Sequence, residues 1–147
     1  MISNYYASTI LDLICGVTDS LSLPDNLYLG LSASAPDPLT GAIPTVNGEP
    51  IEPSYERTVV GGISGAKKFG SASGGIICNK DEIQFRTART SWGTMNYFFL
   101  SQSKSGPAIM WGEIWNKDGT QGVTIGDETV AVFYDGDLRA SLDVPLN

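Results

Sequence analysis

Apolar residues recur along this chain with two different periods. Near the start, Tyr6, Ile10, Leu13 and Val17 fall at i, i+4, i+7 and i+11, one face of a 3.6-residue repeat, and Asp12 falls outside that face. The spacing predicts a short amphipathic helix within residues 1–17, with Ser3 as its N-cap and Gly16 as its stop. Such a helix either plugs one end or face of a sheet or docks on a neighbouring subunit. From Leu27 onward the period is two. Leu27, Leu29, Leu31 and Ala33 point inward from one strand, residues 55–61 supply another, and a brief strand ends at Phe85. Tyr97-Phe98-Phe99-Leu100 and the run 109–115 alternate on either side of the turn Lys104-Ser105-Gly106-Pro107, which predicts an antiparallel hairpin. In the second run Ile109, Trp111 and Trp115 share a face that Glu113 interrupts. Val123 with Ile125, residues 129–134, and a last strand with Leu138, Ala140, Leu142 and Val144 inward complete the set.

The segment 82–115 holds all three tryptophans and three of the five phenylalanines, so a core forms around it, with Phe85, Trp92, Phe99 and Trp111 as its central residues. Seventeen glycines and eight prolines among 147 residues suit many short strands joined by turns. The expectation is an all-β fold: one antiparallel β-sandwich domain over residues 1–147, jelly-roll-like, of about seven or eight strands, with a short N-terminal α-helix. Residues 34–54 stand outside the strand pattern. This stretch carries five prolines, longer than an ordinary connection, and its Leu39, Ile43, Val46 and Ile51 give it something to bury. They are candidate protein-interface residues, and the rival reading lays the same loop back over its own sheet.

Charge and residue chemistry narrow the functions. A net charge of −7 with only nine basic residues argues against a nucleic-acid groove or an anionic membrane surface, which need clustered Lys and Arg. No stretch is long enough to span a bilayer, and no signal peptide is evident. The chain has no histidine, which removes the commonest general base and the commonest transition-metal ligand. The glycine-rich run 61–68 misses the spacing of a phosphate-binding loop, and Asp118, Asp127, Glu128, Asp135 and Asp137 match no calcium loop. No catalytic residue, cofactor or metal is therefore assigned. Cys15 and Cys78 adjoin isoleucines and read as buried free thiols of a reducing compartment. Tyr28 and Trp115 are the best candidates for an aromatic sugar platform, with core burial as the alternative for each.

The order of the pieces carries a further implication. A helix running from Tyr6 to Gly16 precedes a P-x-x-LYLGLS-like strand between Pro24 and Pro36. A Pro/Gly loop then ends in Tyr55-Glu56-Arg57. After it come an N-x-x-x-I-x-F segment (Asn79 to Phe85), the corner T-A-x-x-x-W-G-T (Thr87 to Thr94), a hairpin with W-G-x-I (Trp111 to Ile114) and a strand pair opening on V-T-I-G-D at Val123. In this order the chain resembles a family of small virion proteins of tailed bacteriophages, of the tail-fibre or minor structural type. The resemblance implies a non-enzymatic virion component, assembled in the bacterial host cytoplasm, that packs against other phage virion proteins and against copies of itself. A capsid decoration protein of the head surface, or a carbohydrate-binding receptor module, are the alternatives. The loop 34–54 is longer than the resemblance leads one to expect, which leaves the partner surface open.

Overall fold

Two phenylalanines on consecutive positions, facing opposite ways, sit at the centre of the structure, and the strands are arranged around them. The computed structural model describes residues 1–20, 22 and 24–141. Among these residues there is one helix, α1 (Asn4–Ile14). The strands are β1 (Leu27–Ser32), β2 (Thr58–Gly61), β3 (Ile76–Cys78), β4 (Ile83–Gln84), β5 (Gly93–Met95), β6 (Tyr97–Ser101), β7 (Ala108–Glu113), β8 (Val123–Ile125), β9 (Val132–Phe133) and β10 (Arg139–Ser141). The main sheet has the order β2-β1-β6-β7 and is antiparallel throughout. The remaining pairs are β5 with β8, β4 with β9 and β3 with β10. From β3 to β10, then, the chain is one long hairpin whose arms pair inside one another around the β6–β7 turn. Strands nested in this way are the winding of a jelly roll, and the fold is all-β.

Both faces of the main sheet are covered. On one, Leu29 and Leu31 of β1, Val60 of β2 and Leu100 of β6 join Ile83, Phe85, Trp92, Met95, Ile125 and Leu138 in the larger core. On the other, Phe99, Ala108 and Trp111 are buried under Ile43 and Tyr97. The register explains the central pair. Gly30 of β1 lies beside Phe99, and Gly112 of β7 lies beside Phe98. A methyl group at Gly30 would collide with the Phe99 ring, and one at Gly112 with the Phe98 ring. Each glycine makes room for one of two rings that point to opposite faces, a close approach only glycine permits.

Outside the main sheet, side chains close what short strands cannot. Asn79 is 1% exposed. Its amide nitrogen donates to the carbonyls of Asp81 (3.0 Å) and Tyr134 (2.8 Å), and its amide oxygen accepts from Leu138 N–H (2.9 Å). That one residue fastens the turn before β10 to the end of β3. Asn96, at the bend between β5 and β6, donates to the Ala33 carbonyl at 2.8 Å.

Several sequence expectations change. Ten strands occur among the described residues where seven or eight were expected, because β3 and β5 are only three residues long and leave too little alternation to read. Residues 55–57 are not strand, since their side chains are drawn into a polar cluster. Ser3 makes no side-chain cap. Its backbone N–H instead donates to the Ile109 carbonyl at 2.9 Å, and Trp111 N–H donates to the Met1 carbonyl at 2.8 Å, so residues 1–3 lie along β7 as an added edge. The helix stops at Ile14, short of Val17, and buries no residue. Cys15, beyond its last turn, is therefore exposed rather than buried, and Cys78 is half-buried; both are free thiols. Trp115 falls past the end of β7 and is 59% exposed, so it does not join Trp111 inside. Leu142, Asp143 and Val144, expected in the last strand, lie outside the described residues.

Two substitutions test this arrangement. Gly30→Ala is expected to cost about 1–3 kcal/mol through overpacking against Phe99. Trp111→Ala is expected to cost about 3–5 kcal/mol through the cavity it leaves. Urea unfolding midpoints of the purified variants measure both, and an unchanged midpoint for Trp111→Ala contradicts its place in the second core.

Candidate functional site

Arg57 is the most deeply buried charge described: its side chain is 1% exposed, while its partner Glu49 is 23% exposed. The guanidinium is bonded through all three nitrogens. Nε and Nη2 donate to the two Glu49 carboxylate oxygens at 2.8 and 2.7 Å, a bidentate fork. Nη1 donates to Ser101 Oγ (2.9 Å) and to the carbonyls of Ser103 (2.9 Å) and Gly106 (2.8 Å) in the β6–β7 turn. The Cζ atom lies 4.7 Å from the centre of the Phe99 ring, a cation–π contact. Tyr55 completes the cluster. Its hydroxyl donates to Glu49 Oε1 at 2.8 Å and accepts from the Leu31 N–H at 3.0 Å. Burial first, then the negative charge of Glu49, pushes the Tyr55 hydroxyl far above the ordinary tyrosine range.

This cluster fixes the long loop to the sheet, and it is one of four fastenings. Ala108 N–H donates to the Gly41 carbonyl at 2.7 Å, and Ala33 N–H donates to the Gly48 carbonyl at 3.0 Å. Further along, Trp92 Nε1 donates to Glu52 Oε2 (3.2 Å) and Ser54 Oγ (3.3 Å), while its ring meets Tyr55 edge-on at 5.2 Å. Ahead of the first fastening, Asp37 accepts from the Thr40 and Leu39 N–H groups, and these bonds hold its carboxyl below the usual range. The loop is thus a folded strap across the second face of the sheet.

The strap sorts its apolar residues. Ile43 turns inward against Phe99, Ala108 and Trp111. Leu39 (63%), Val46 (75%) and Ile51 (97%) face water. A groove of about 670 Å³ runs between the strap and the β6–β7 turn, with Glu49 and Arg57 among its lining and Ile43, Pro50, Ile51 and Pro107 along its sides. Phe85, Trp92, Phe99 and Trp111 are each no more than 6% exposed. Of the aromatic pair considered for sugars, Tyr28 is half-buried, and Trp115 is exposed with its indole nitrogen donating to Glu113 Oε2 at 2.9 Å.

The arrangement offers little to reaction chemistry. Glu49 already accepts from three donors, so the best-ordered carboxylate is committed to holding the strap. Asp118 is held below the usual range by the Thr120 hydroxyl and backbone N–H. Among the described residues no three His, Cys, Asp or Glu side chains come together as a metal site would require, and no helix is long and apolar enough to cross a membrane. Sequence reasoning missed Glu49, Glu52 and Ser101. Only Tyr55 and Arg57 had been singled out, inside the Tyr55-Glu56-Arg57 motif, and an arginine next to a strand was the one available sign that a carboxylate partner had to exist.

Residues 1–140 match the family described as podophage GP4 fiber I protein gp80. The chain belongs to that family. No curated protein matches it. As a member of a phage fibre family it is a structural component of a tailed phage, and the residues that the sequence motifs quote have definite places in the fibre-family fold. Gly30 receives Phe99, Gly112 receives Phe98, Arg57 pins the strap, Asn79 pins the last turn, and Trp92 reaches the strap through Glu52.

The buried pair makes two predictions. Glu49→Ala, which strands the Arg57 guanidinium, is expected to destabilise the protein by about 3–5 kcal/mol, whereas Glu49→Ala with Arg57→Met recovers most of that loss. Comparison of urea midpoints for the single and double variants decides it. The raised Tyr55 hydroxyl keeps its proton in the folded chain after the unfolded chain has lost it, so its contribution is whole below about pH 10 and shrinks as pH rises further. Thermal midpoints should accordingly fall more steeply above that pH in the wild type than in Tyr55→Phe.

Proposed function

We propose that this chain is a non-enzymatic, fibre-associated component of the virion, held there by protein–protein contacts, and that the strap of residues 34–54 provides the contact with other virion proteins. The observation that carries this reading is the strap itself. Four fastenings hold it, and it presents Leu39, Val46 and Ile51 to water. A loop that merely connected two strands would gain nothing by ordering three apolar side chains outward. Because the backbone is already fixed, a partner that covers these residues loses little further chain entropy on binding. Ile43 drops out of the candidate interface, since it belongs to the second core. The non-enzymatic part rests on the lack of histidine and on the way the buried carboxylate is consumed by its own donors. No cofactor is invoked.

The test uses the surface residues and spares the fastenings. In the triple variant Leu39→Ser/Val46→Ser/Ile51→Ser the unfolding free energy should stay within about 1.5 kcal/mol of wild type, as exposed positions allow. Incorporation into particles, measured by mass spectrometry of purified virions when the variant is the sole copy, should be lost. Normal incorporation of the folded variant would show that the strap is no docking surface.

A further inference from the structure

The backbone nitrogen that follows an asparagine or aspartate can close on that side chain to form a five-membered ring, and a glycine there favours closure because no side chain stands in the way. The chain offers three such steps: Asn47-Gly48, Asp118-Gly119 and Asp135-Gly136. The fold treats them differently. Gly119 N–H donates to the Asn116 carbonyl at 3.0 Å and Gly136 N–H to the Asn79 carbonyl at 2.9 Å, so at both steps the attacking nitrogen is already committed. Asp118 is committed too, since its Oδ1 accepts from the Thr120 N–H (2.9 Å) and hydroxyl (2.6 Å). At the third step neither group is held. Among the described residues, the Gly48 N–H and the Asn47 side chain have no hydrogen-bond partner. Asn47 is exposed, as are Thr45 and Val46 before it, and its φ of 53° lies in the left-handed region. Gly48 is buried beneath this turn, where an N–H without a partner is uncommon.

We propose that Asn47-Gly48 is a site of spontaneous covalent change in this chain, and that its isoaspartyl product unfastens the strap. As the exposed turn opens, Gly48 N gives its proton to solvent hydroxide and attacks Asn47 Cγ. The N–Cγ bond forms, the Cγ–Nδ2 bond breaks, and Nδ2 leaves as ammonia with a proton taken from water. A second water then adds to one of the two carbonyls of the cyclic imide and breaks the C–N bond there. Opening at Cγ leaves aspartate. Opening at the backbone carbon leaves isoaspartate, whose chain runs through Cβ and Cγ and is longer by one atom. Both products carry a new negative charge, and nothing is oxidised or reduced. The position makes the extra atom matter. The very next carbonyl, that of Gly48, accepts from Ala33 N–H at 3.0 Å, and the next side chain, Glu49, forks onto Arg57 at 2.8 and 2.7 Å. A methyl group at Gly48 would already collide with the Pro44 carbonyl, so the turn has no slack in which to absorb a longer chain. Plain aspartate at this position keeps the backbone length and with it both fastenings. The chemistry holds whether or not the strap is a docking surface.

Ageing of the purified, folded chain in mildly alkaline buffer tests it. Peptide mapping, with fragmentation that distinguishes isoaspartate from aspartate, should show both products accumulating at residue 47, faster as pH rises, while Asp118 and Asp135 keep their ordinary linkage. Ion exchange separates the aged forms by their added charge. The isoaspartate fraction should unfold at a lower urea concentration, shifted toward the midpoint of Glu49→Ala, and the aspartate fraction should unfold with the unaged chain. Asn47→Gly, which accepts the left-handed backbone and lacks the amide, should show the same midpoint before and after ageing. A folded chain that keeps its Asn47 amide while the same chain in urea loses it overturns the proposal. So does isoaspartate that forms as readily at residues 118 and 135, or an isoaspartate-47 fraction with an unshifted midpoint.

Discussion

A guanidinium taken out of water is the constraint on which the rest of this structure depends. Moving such a charge into the interior costs several kcal/mol even after relaxation, and only complete bonding offsets it. Arg57 finds that bonding in three separate places: Glu49 on the strap, Ser101 at the end of β6, and the carbonyls of Ser103 and Gly106 in the β6–β7 turn. None of these segments satisfies it alone. The strap, the turn and the sheet therefore order together, and a chain in which one is missing carries an unpaired buried charge. The net stability contributed by the pair is modest on general grounds, but its demand for one geometry is strict.

The same cluster explains why one sheet has two cores. A strap without a fixed backbone would leave Phe99 and Trp111 open on the second face. With Gly41, Gly48 and Glu49 fastened, Ile43 is carried onto them. Phe99 takes part twice, with its ring lying against Gly30 and with Arg57 placed over it. Polar anchoring and apolar packing are thus parts of one arrangement, and the position of the cation is set by the ring beneath it.

How much of this was legible in the sequence depended on the range of the interaction concerned. Local alternation exposed β1, β6 and β7, because a strand with a partner on each side writes its period into five or six consecutive residues. It placed the short β4 before Phe85 and β9 within residues 129–134, but did not expose β3 or β5, which are three residues long and pair only with the distant β10 and β8. The helix was legible as a helix, yet its 3.6-residue period carried no information on whether the body would cover it, and so Cys15 was misplaced. The strap was recognisable by its prolines and length. Its fastenings were not, since nothing local links Glu49 to Arg57 or Glu52 to Trp92, and those pairs exist only once β1 and β6 are side by side. Trp115 failed for a related reason: alternation placed it with Trp111, but β7 ends at Glu113, and a strand period has no force past the last ladder bond.

What remains is why a protein of this size leaves apolar side chains exposed on both the strap and the helix. Exposed Leu39, Val46 and Ile51 stand on a backbone fastened from beneath, and exposed Leu11, Ile14 and Val17 stand on or just beyond a helix fastened at its start. Several carboxylates, on the strap and off it, are bound locally, as Asp37 and Asp118 are to nearby backbone and hydroxyl groups and Glu56 is to Lys104 and Arg86. Neutral apolar ground on an otherwise acidic surface is chemically distinct from random exposure, because it concentrates hydrophobic gain where approach is least opposed. Ordering that ground in advance removes part of the entropy cost of assembly. A component that enters a particle built from many chains meets both requirements with the same device, a rigid sheet whose fastenings hold apolar side chains away from the core that made them.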